Sequence, residues 1–284
     1  MADVVCIASW NADLVSRVPR PVARGETLMA RTFEISPGGK GSNAAVAAAR
    51  QGATVALLAR IGDDDVGRMG LDLWRTEGIA TRHVEQAAGE RGGVAQIQVF
   101  DDGDNSIAVF RGAGAGLGAA HARAASALLR ACRVVMASCE VPLECTTEAF
   151  RIAPSGGALT LLNPAPAQPL PDAMLALVDV LTPNESELLA LAGVSAGATP
   201  NAAAQALLAR GARAVLVTLG AAGCRLYQRN GAPPLEEPGR RIDVADTIGA
   251  GDTFTGALAA ALSVRGRGAI AGMPTFSEVA TLLT

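Results

Sequence analysis

The chain has 284 residues, 50% of them hydrophobic but only 3% aromatic, with a formal net charge of −3. That length and apolar content can fill the core of one large α/β domain, and the slightly acidic balance gives no basic field for nucleic acid. The longest uncharged stretches, around residues 152–171 and 188–209, contain Pro, Asn, Gly and Gln and do not read as membrane spans.

Residues 4–8 form an apolar strand with no basic leader before them, so a cytoplasmic location is expected. Strands are predicted at 4–8, 54–58, 134–137, 159–162 and 214–218, and helices at 42–51, 65–77, 119–130, 185–191 and 202–210. Their alternation is that of crossover βαβ units on a mainly parallel sheet. Residues 93–110 break the pattern, because Val94, Gln96 and Gln98 alternate before the turn at 101–105; they predict a β-hairpin. The irregular stretch 13–35 can pair with that hairpin outside the main sheet as a small lid, or the hairpin is a plain surface one. Five cysteines without a CxxC spacing predict free, mostly buried thiols. Two histidines far from any acidic or Cys cluster give little support to zinc or Ser-His-Asp chemistry.

Chemistry-bearing residues also follow in chain order. Asn11 and Asp13, just after the first strand, can bind neighbouring hydroxyls of a polyol, or simply form a turn. Pro37-Gly38-Gly39-Lys40-Gly41-Ser42-Asn43 opens a helix; its glycines let backbone approach a polar ligand, and Asn43 can donate and accept. It is not a P-loop, since Gly41 follows Lys40 in place of Ser or Thr. Cys139-Glu140-Val141-Pro142 puts a carboxylate at a strand end, the ligand edge of an open α/β sheet, or leaves it simply solvated. Thr182-Pro183-Asn184-Glu185-Ser186-Glu187 sits at a strand-to-helix junction, where it can organise hydrated magnesium and phosphate or cap the helix. The run from Thr218 through Gly220 to Gly223 leaves backbone room for a nucleotide or makes a tight turn.

The strongest local signal is Asp246-Thr247-Ile248-Gly249-Ala250-Gly251-Asp252, followed at once by an Ala-rich apolar helix. Gly249, Ala250 and Gly251 let N–H groups converge at a helix start, an anion hole able to hold a γ-phosphoryl group as charge spreads over its oxygens. Asp252 then stands where a general base is needed; a plain helix cap is the other reading.

Together and in this order, these motifs resemble the ribokinase branch of the PfkB carbohydrate kinases, from about Asp3 to the C-terminus. Asn163-Pro164-Ala165-Pro166-Ala167 and Thr182-Pro183-Asn184-Glu185 add to the likeness. The resemblance implies a ribokinase-like three-layer α/β/α fold with a mainly parallel central sheet. Residues 1–284 would be a single kinase domain, with a β-sheet lid from about 12–36 and 92–112. It implies ATP-dependent transfer of the γ-phosphate to the primary 5-hydroxyl of D-ribose, with Asp252 as general base. Asn11, Asp13, Gly39, Lys40, Asn43 and Glu140 would line the sugar site. Asn184, Thr218, Gly220, Gly223 and Gly251 would face ATP, with Glu187 in the magnesium region. Asp246 and Ile248 match positions that hold a monovalent cation, usually potassium. A homodimer through the lid, and neither a nucleic-acid nor a membrane partner, complete the expectation. Nucleosides, fructose or ketodeoxy-sugar acids are the other substrates the shared motifs allow.

One departure stands out. Residues 261–269 join directly two segments that the family separates by a loop and another helix, so the region after 262 is shortened. The missing part ordinarily helps wall the adenine site and supports the cation loop. The expected outcome is a working kinase with weakened nucleotide or cation binding, the alternative a non-catalytic sugar-binding remnant.

Overall fold

The computed structural model describes residues 2–194, 197–239 and 249–263. The first elements are β1 (Val4–Ala8), β2 (Asn11–Arg17), β3 (Thr32–Gly38), α1 (Lys40–Arg50), β4 (Val55–Gly62), α2 (Asp65–Thr76) and β5 (Ala80–Ala87). There follow β6 (Val94–Val99), β7 (Asn105–Phe110), α3 (Ala119–Ala124), α4 (Ser126–Ala131), β8 (Val134–Ser138), α5 (Leu143–Ile152) and β9 (Leu159–Asn163). The last are α6 (Asp172–Leu175), β10 (Val180–Leu181), α7 (Glu185–Ala192), α8 (Pro200–Ala209), β11 (Ala214–Thr218), β12 (Cys224–Gln228), β13 (Leu235–Glu237) and α9 (Ala250–Ser263).

Nine strands form the central sheet in the order β13-β12-β11-β10-β9-β8-β1-β4-β5. It is parallel from β11 to β5, and the pairs β11–β12 and β12–β13 are antiparallel. The parallel strands from β11 to β4 are buried and mainly apolar on both faces, as a sheet covered on both sides requires, whereas the edge strand β5 is largely polar. Alternate residues feed two separate cores. Val5, Ile7, Val135, Ala137 and Leu162 pack with α3, α5, α7 and α8 through Ala122, Phe150, Leu188 and Leu207. Cys6, Ala8, Leu57, Met136 and Leu161 pack on the other face with α1, α2 and α9 through Ala45, Trp74 and Ala259. The expected three layers follow from this.

With few rings to fill space, α1 and α9 meet through small side chains. A Cβ on Gly256 would overlap the carbonyl of Ala44, so only glycine permits this approach. Both tryptophans gather where α2 meets α1: the rings of Trp10 and Trp74 lie edge to face at 5.6 Å, and Trp74 Nε1 donates to Ser42 Oγ at 2.8 Å.

A second sheet, in the order β3-β2-β6-β7, stands apart from the first. The predicted hairpin is β6–β7, and its partner from the irregular stretch is the antiparallel pair β2–β3. All five cysteines are buried and free, as expected. No helix among the described residues is long and apolar enough to cross a membrane.

Candidate active site

In the central sheet β1 leads to β4 and β5 on one side, whereas β8, β9, β10 and β11 build outward on the other. The reversal lies between β1 and β8, and the crevice beyond the carboxyl ends of those two strands is where such sheets bind ligands. A cavity of about 100 Å³ lies there, lined among others by Ser9, Asn11, Val109, Arg111, Gly114 and Glu140.

The chain after β1 is held by the glycines before α1. A Cβ on Gly39, at φ 91°, would stand 2.7 Å from the carbonyl oxygen of Ser9, and one on Gly41 would stand 2.5 Å from Ala8 Cα. This close approach sets the start of α1 against β1. Glu140, after β8, accepts from Ser9 Oγ at 2.7 Å and from the Lys40 backbone N–H at 2.8 Å. Its carboxylate therefore sits on the first turn of α1, where the helix dipole favours an anion, and is not merely solvated. Ser9, not singled out from the sequence, also accepts from the Gly41 N–H at 3.1 Å.

Asn11 and Asp13 fall on one face of β2, two residues apart, so the turn reading of these residues does not hold. A side chain at Gly38 would overlap the Asp13 carboxylate. Burial, then the charge of Glu140, pushes the Asp13 pKa up to about 6, Lys40 opposing and Asp252 adding to the rise.

Asp252 is the third residue of α9 and 4% exposed. Its Oδ2 accepts from Asn43 Nδ2 at 2.9 Å, and its Oδ1 lies 4.0 Å from Lys40 Nζ. The side chain thus turns to the neighbouring helix and makes no capping bond among the described residues. Burial raises its pKa, with Lys40 and the Asn43 hydrogen bond opposing, and the charges of Glu140 and Glu187 adding to the rise. Gly249, at φ 73°, precedes the helix, whose first N–H groups have no intrahelical acceptor. A Cβ at Gly251 would meet nothing within 4 Å, so the backbone of the first turn is open to a ligand.

Beneath that turn lies a buried polar chain which sequence reasoning missed. Thr255 Oγ1 donates to the Gly251 carbonyl at 2.9 Å, accepts from Asn163 Nδ2 at 3.2 Å and lies 3.1 Å from Thr182 Oγ1. It ties the head of α9 to the ends of β9 and β10. The motifs at Asn163 and Thr182 were the available signal, but nothing in the sequence says that they meet at α9.

Asn184 and Glu187 realise the capping alternative: Asn184 Oδ1 accepts from the Glu187 N–H at 2.8 Å, and Glu187 Oε2 accepts from the Asn184 N–H at 2.9 Å. Glu187 is still near enough for its charge to be felt at Asp252. Thr218 ends β11, and Gly220 and Gly223, with φ of 57° and 97°, bracket a tight turn closed by the Leu219 N–H on the Gly223 carbonyl at 2.8 Å. Asp246 and Ile248 lie outside the described residues, as does the shortened segment beyond Ser263.

A buried carboxylate beside an open helix start, held by Asn43 and Lys40 near the switch point of a parallel sheet, is an arrangement suited to group transfer to a hydroxyl. The chain belongs to the pfkB family of carbohydrate kinases, whose model matches residues 1–271. Among its relatives, a ribokinase of Haemophilus influenzae is 36% identical over 298 aligned positions, covering 98% of this chain and 97% of its own. A deoxyribokinase of Salmonella typhi is 33% identical, covering 97% of each chain. The structure of Arabidopsis thaliana ribokinase complexed with ribose and ATP superimposes with a TM-score of 0.83 at 27% identity, over 100% of this chain and 99% of the other.

Proposed function

We propose that the chain is an ATP-dependent ribose kinase, with Asp252 as general base for the primary 5-hydroxyl. The observation that carries this reading is the placement of Asp252, buried at the head of α9 and held by Asn43 beside Lys40. Asn11, Asp13, Gly39, Lys40, Asn43 and Glu140 bind and orient the sugar. Asp13 and Glu140 accept from its hydroxyls, and Asn43 and Lys40 stay within reach of both sugar and base.

As the sugar oxygen attacks, its proton passes to Asp252, whose raised pKa suits an acceptor working near neutral pH. A bond forms between that oxygen and the γ-phosphorus, the bond to the β–γ bridging oxygen breaks, and ADP leaves. The N–H groups of Gly249, Ala250 and Gly251 face the γ-phosphoryl oxygens as charge spreads over them, and the open space at Gly251 fits that role. Asn184, Thr218, Gly220 and Gly223 line the nucleotide side. Magnesium, when bound, neutralises charge on the phosphates. The ion would be held through phosphate and water, with Glu187 nearby. Asp246 and Ile248 are assigned to a potassium site.

The outer face of the lid suits a second copy of the chain. Register puts Phe33, Ile35, Leu14, Val94 and Phe110 on the face turned away from Asp13, and Phe33, Ile35 and Phe110 are 59%, 53% and 59% exposed. A homodimer through this face, in the cytoplasm, is the assembly proposed.

ADP release measured over ribose, 2-deoxyribose, fructose, a nucleoside and a ketodeoxy-sugar acid, with and without magnesium and potassium, tests the assignment. The highest kcat/KM is expected on ribose, and a higher value on any other sugar replaces the substrate. The shortened segment after 262 favours one second reading, a sugar-binding protein without turnover. Calorimetry showing ribose binding but no ATP binding would establish it.

A further inference from the structure

The chain passes twice between the core and the lid on the β5 side, once on entry at residues 88–93 and once on exit at residues 111–118. One side chain holds both crossings. Arg60, near the end of β4, is 14% exposed and directs its guanidinium between them. Nη1 and Nη2 donate to the two carboxylate oxygens of Glu90, on the entry, at 2.8 and 2.6 Å. Nη1 also donates to the carbonyl of Ala113, on the exit, at 2.7 Å, and Nε donates to Glu85 on β5 at 3.0 Å. Glu85 is shared with His121 Nε2 at 2.7 Å.

The crossings also touch each other and the polyol cavity. The Ala113 N–H donates to the Arg91 carbonyl at 2.8 Å, and the Ala12 N–H on β2 donates to the Gly93 carbonyl at 2.9 Å. Asp64, the N-cap of α2, accepts from the Gly92 N–H at 3.0 Å. A Cβ at Gly93 would overlap the Asn11 side-chain oxygen. Ala113 itself lies between Arg111 and Gly114, which line the cavity with Asn11 and Glu140.

We propose that Arg60 is a positioning residue for sugar binding: by fixing Glu90 and Ala113 relative to one another, it sets where Arg111, Gly114 and Asn11 stand around the substrate. The planar fork is what the role needs, since it grips a carboxylate with two parallel bonds and reaches a carbonyl at the same time, which a lysine cannot do. Without it, Glu85 and Glu90 lose the cation they share, and the Ala113 carbonyl loses its donor.

The inference rests on reading the cavity as the sugar site, and its test separates the two. Arg60→Met and Arg60→Lys are compared with Gly116→Ala, whose new Cβ would overlap the Arg60 guanidinium and displace it without removing a charge. Steady-state kinetics and amide hydrogen exchange of residues 88–93 and 111–118 are the readouts. Arg60→Met and Gly116→Ala are expected to raise KM for the sugar about tenfold, with Arg60→Lys in between, and to speed exchange in both crossings, while KM for ATP and kcat at saturating sugar stay within about twofold. Should Arg60→Met not fold, Gly116→Ala carries the comparison. Unchanged sugar KM in folded variants, or equal changes in KM for sugar and ATP, overturns the inference. A wild-type chain that phosphorylates no sugar overturns the functional reading instead, and the exchange rates of the two crossings then decide the role of Arg60 by themselves.

Discussion

Asp13 stands where two demands on one carboxyl conflict. Burial first, and Glu140 after it, lift its pKa to about 6, whereas in the unfolded chain it returns to its ordinary value of 3.8. The folded form therefore binds the proton more tightly, and this group's contribution to stability declines as pH rises from 3.8 to about 6. Asp13→Asn is expected to raise Tm at pH 7.5 in a calorimetric scan while raising sugar KM roughly ten- to a hundred-fold, the range for a lost charged hydrogen bond. In the wild type, sugar KM should climb as pH falls below about 6. A Tm unchanged or lowered by Asp13→Asn would contradict the burial argument. Asn43 acts in the opposite sense on Asp252, because its hydrogen bond lowers a pKa that burial raises. Asn43→Ala should reduce kcat about tenfold and move the acid limb of the kcat profile to higher pH. An acid limb that stays in place would mean that Asn43 does not set the protonation of the base.

Among the elements, the contact between α1 and α9 decides whether Lys40, Asn43 and Asp252 meet. Gly256→Val forces a side chain into the Ala44 carbonyl and pushes the helices apart. We expect a loss of about 1–3 kcal/mol in stability by chemical denaturation, with kcat falling beyond what the unfolded fraction explains. Equal kcat per folded molecule would show that the two helix starts need not be held so closely. The sequence carried the pattern of these elements unevenly. Buried parallel strands such as Val4–Ala8 and Ala214–Thr218 were legible as short apolar runs between helices, and the lid hairpin as alternation around an Asp-Gly turn. β5 was missed because Ala80–Ala87 is an edge strand with Arg82, His83 and Glu85 along it, so its one covered face leaves little pattern. The predicted helix at 119–130 is two helices, with Ala125 at φ −90° and ψ 12° between them, a break that no Gly or Pro announces. For the site, strand ends and glycine-rich helix starts could be found locally. The Asn163–Thr255–Thr182 chain and the Arg60 grip span 92, 73 and 53 residues of sequence and leave no local mark.

Over the whole molecule, the second sheet carries Asp13 on one face and the exposed Phe33, Ile35 and Phe110 on the other. The proposed dimer predicts that sedimentation of the wild type gives twice the chain mass, and that Phe33→Asp with Ile35→Glu gives the single mass, because charge on those positions cannot be buried unpaired. A wild-type monomer would leave the outer face without that partner. In the proposed mechanism two helix starts and two strand ends serve one hydroxyl of one sugar, and Asp252 takes its proton. The direct measurement is ribose-dependent ADP release by Asp252→Asn at saturating ATP, paired with calorimetry of ribose binding. Turnover should fall by at least about 10²-fold while the variant still binds ribose; turnover within twofold of the wild type would contradict the account.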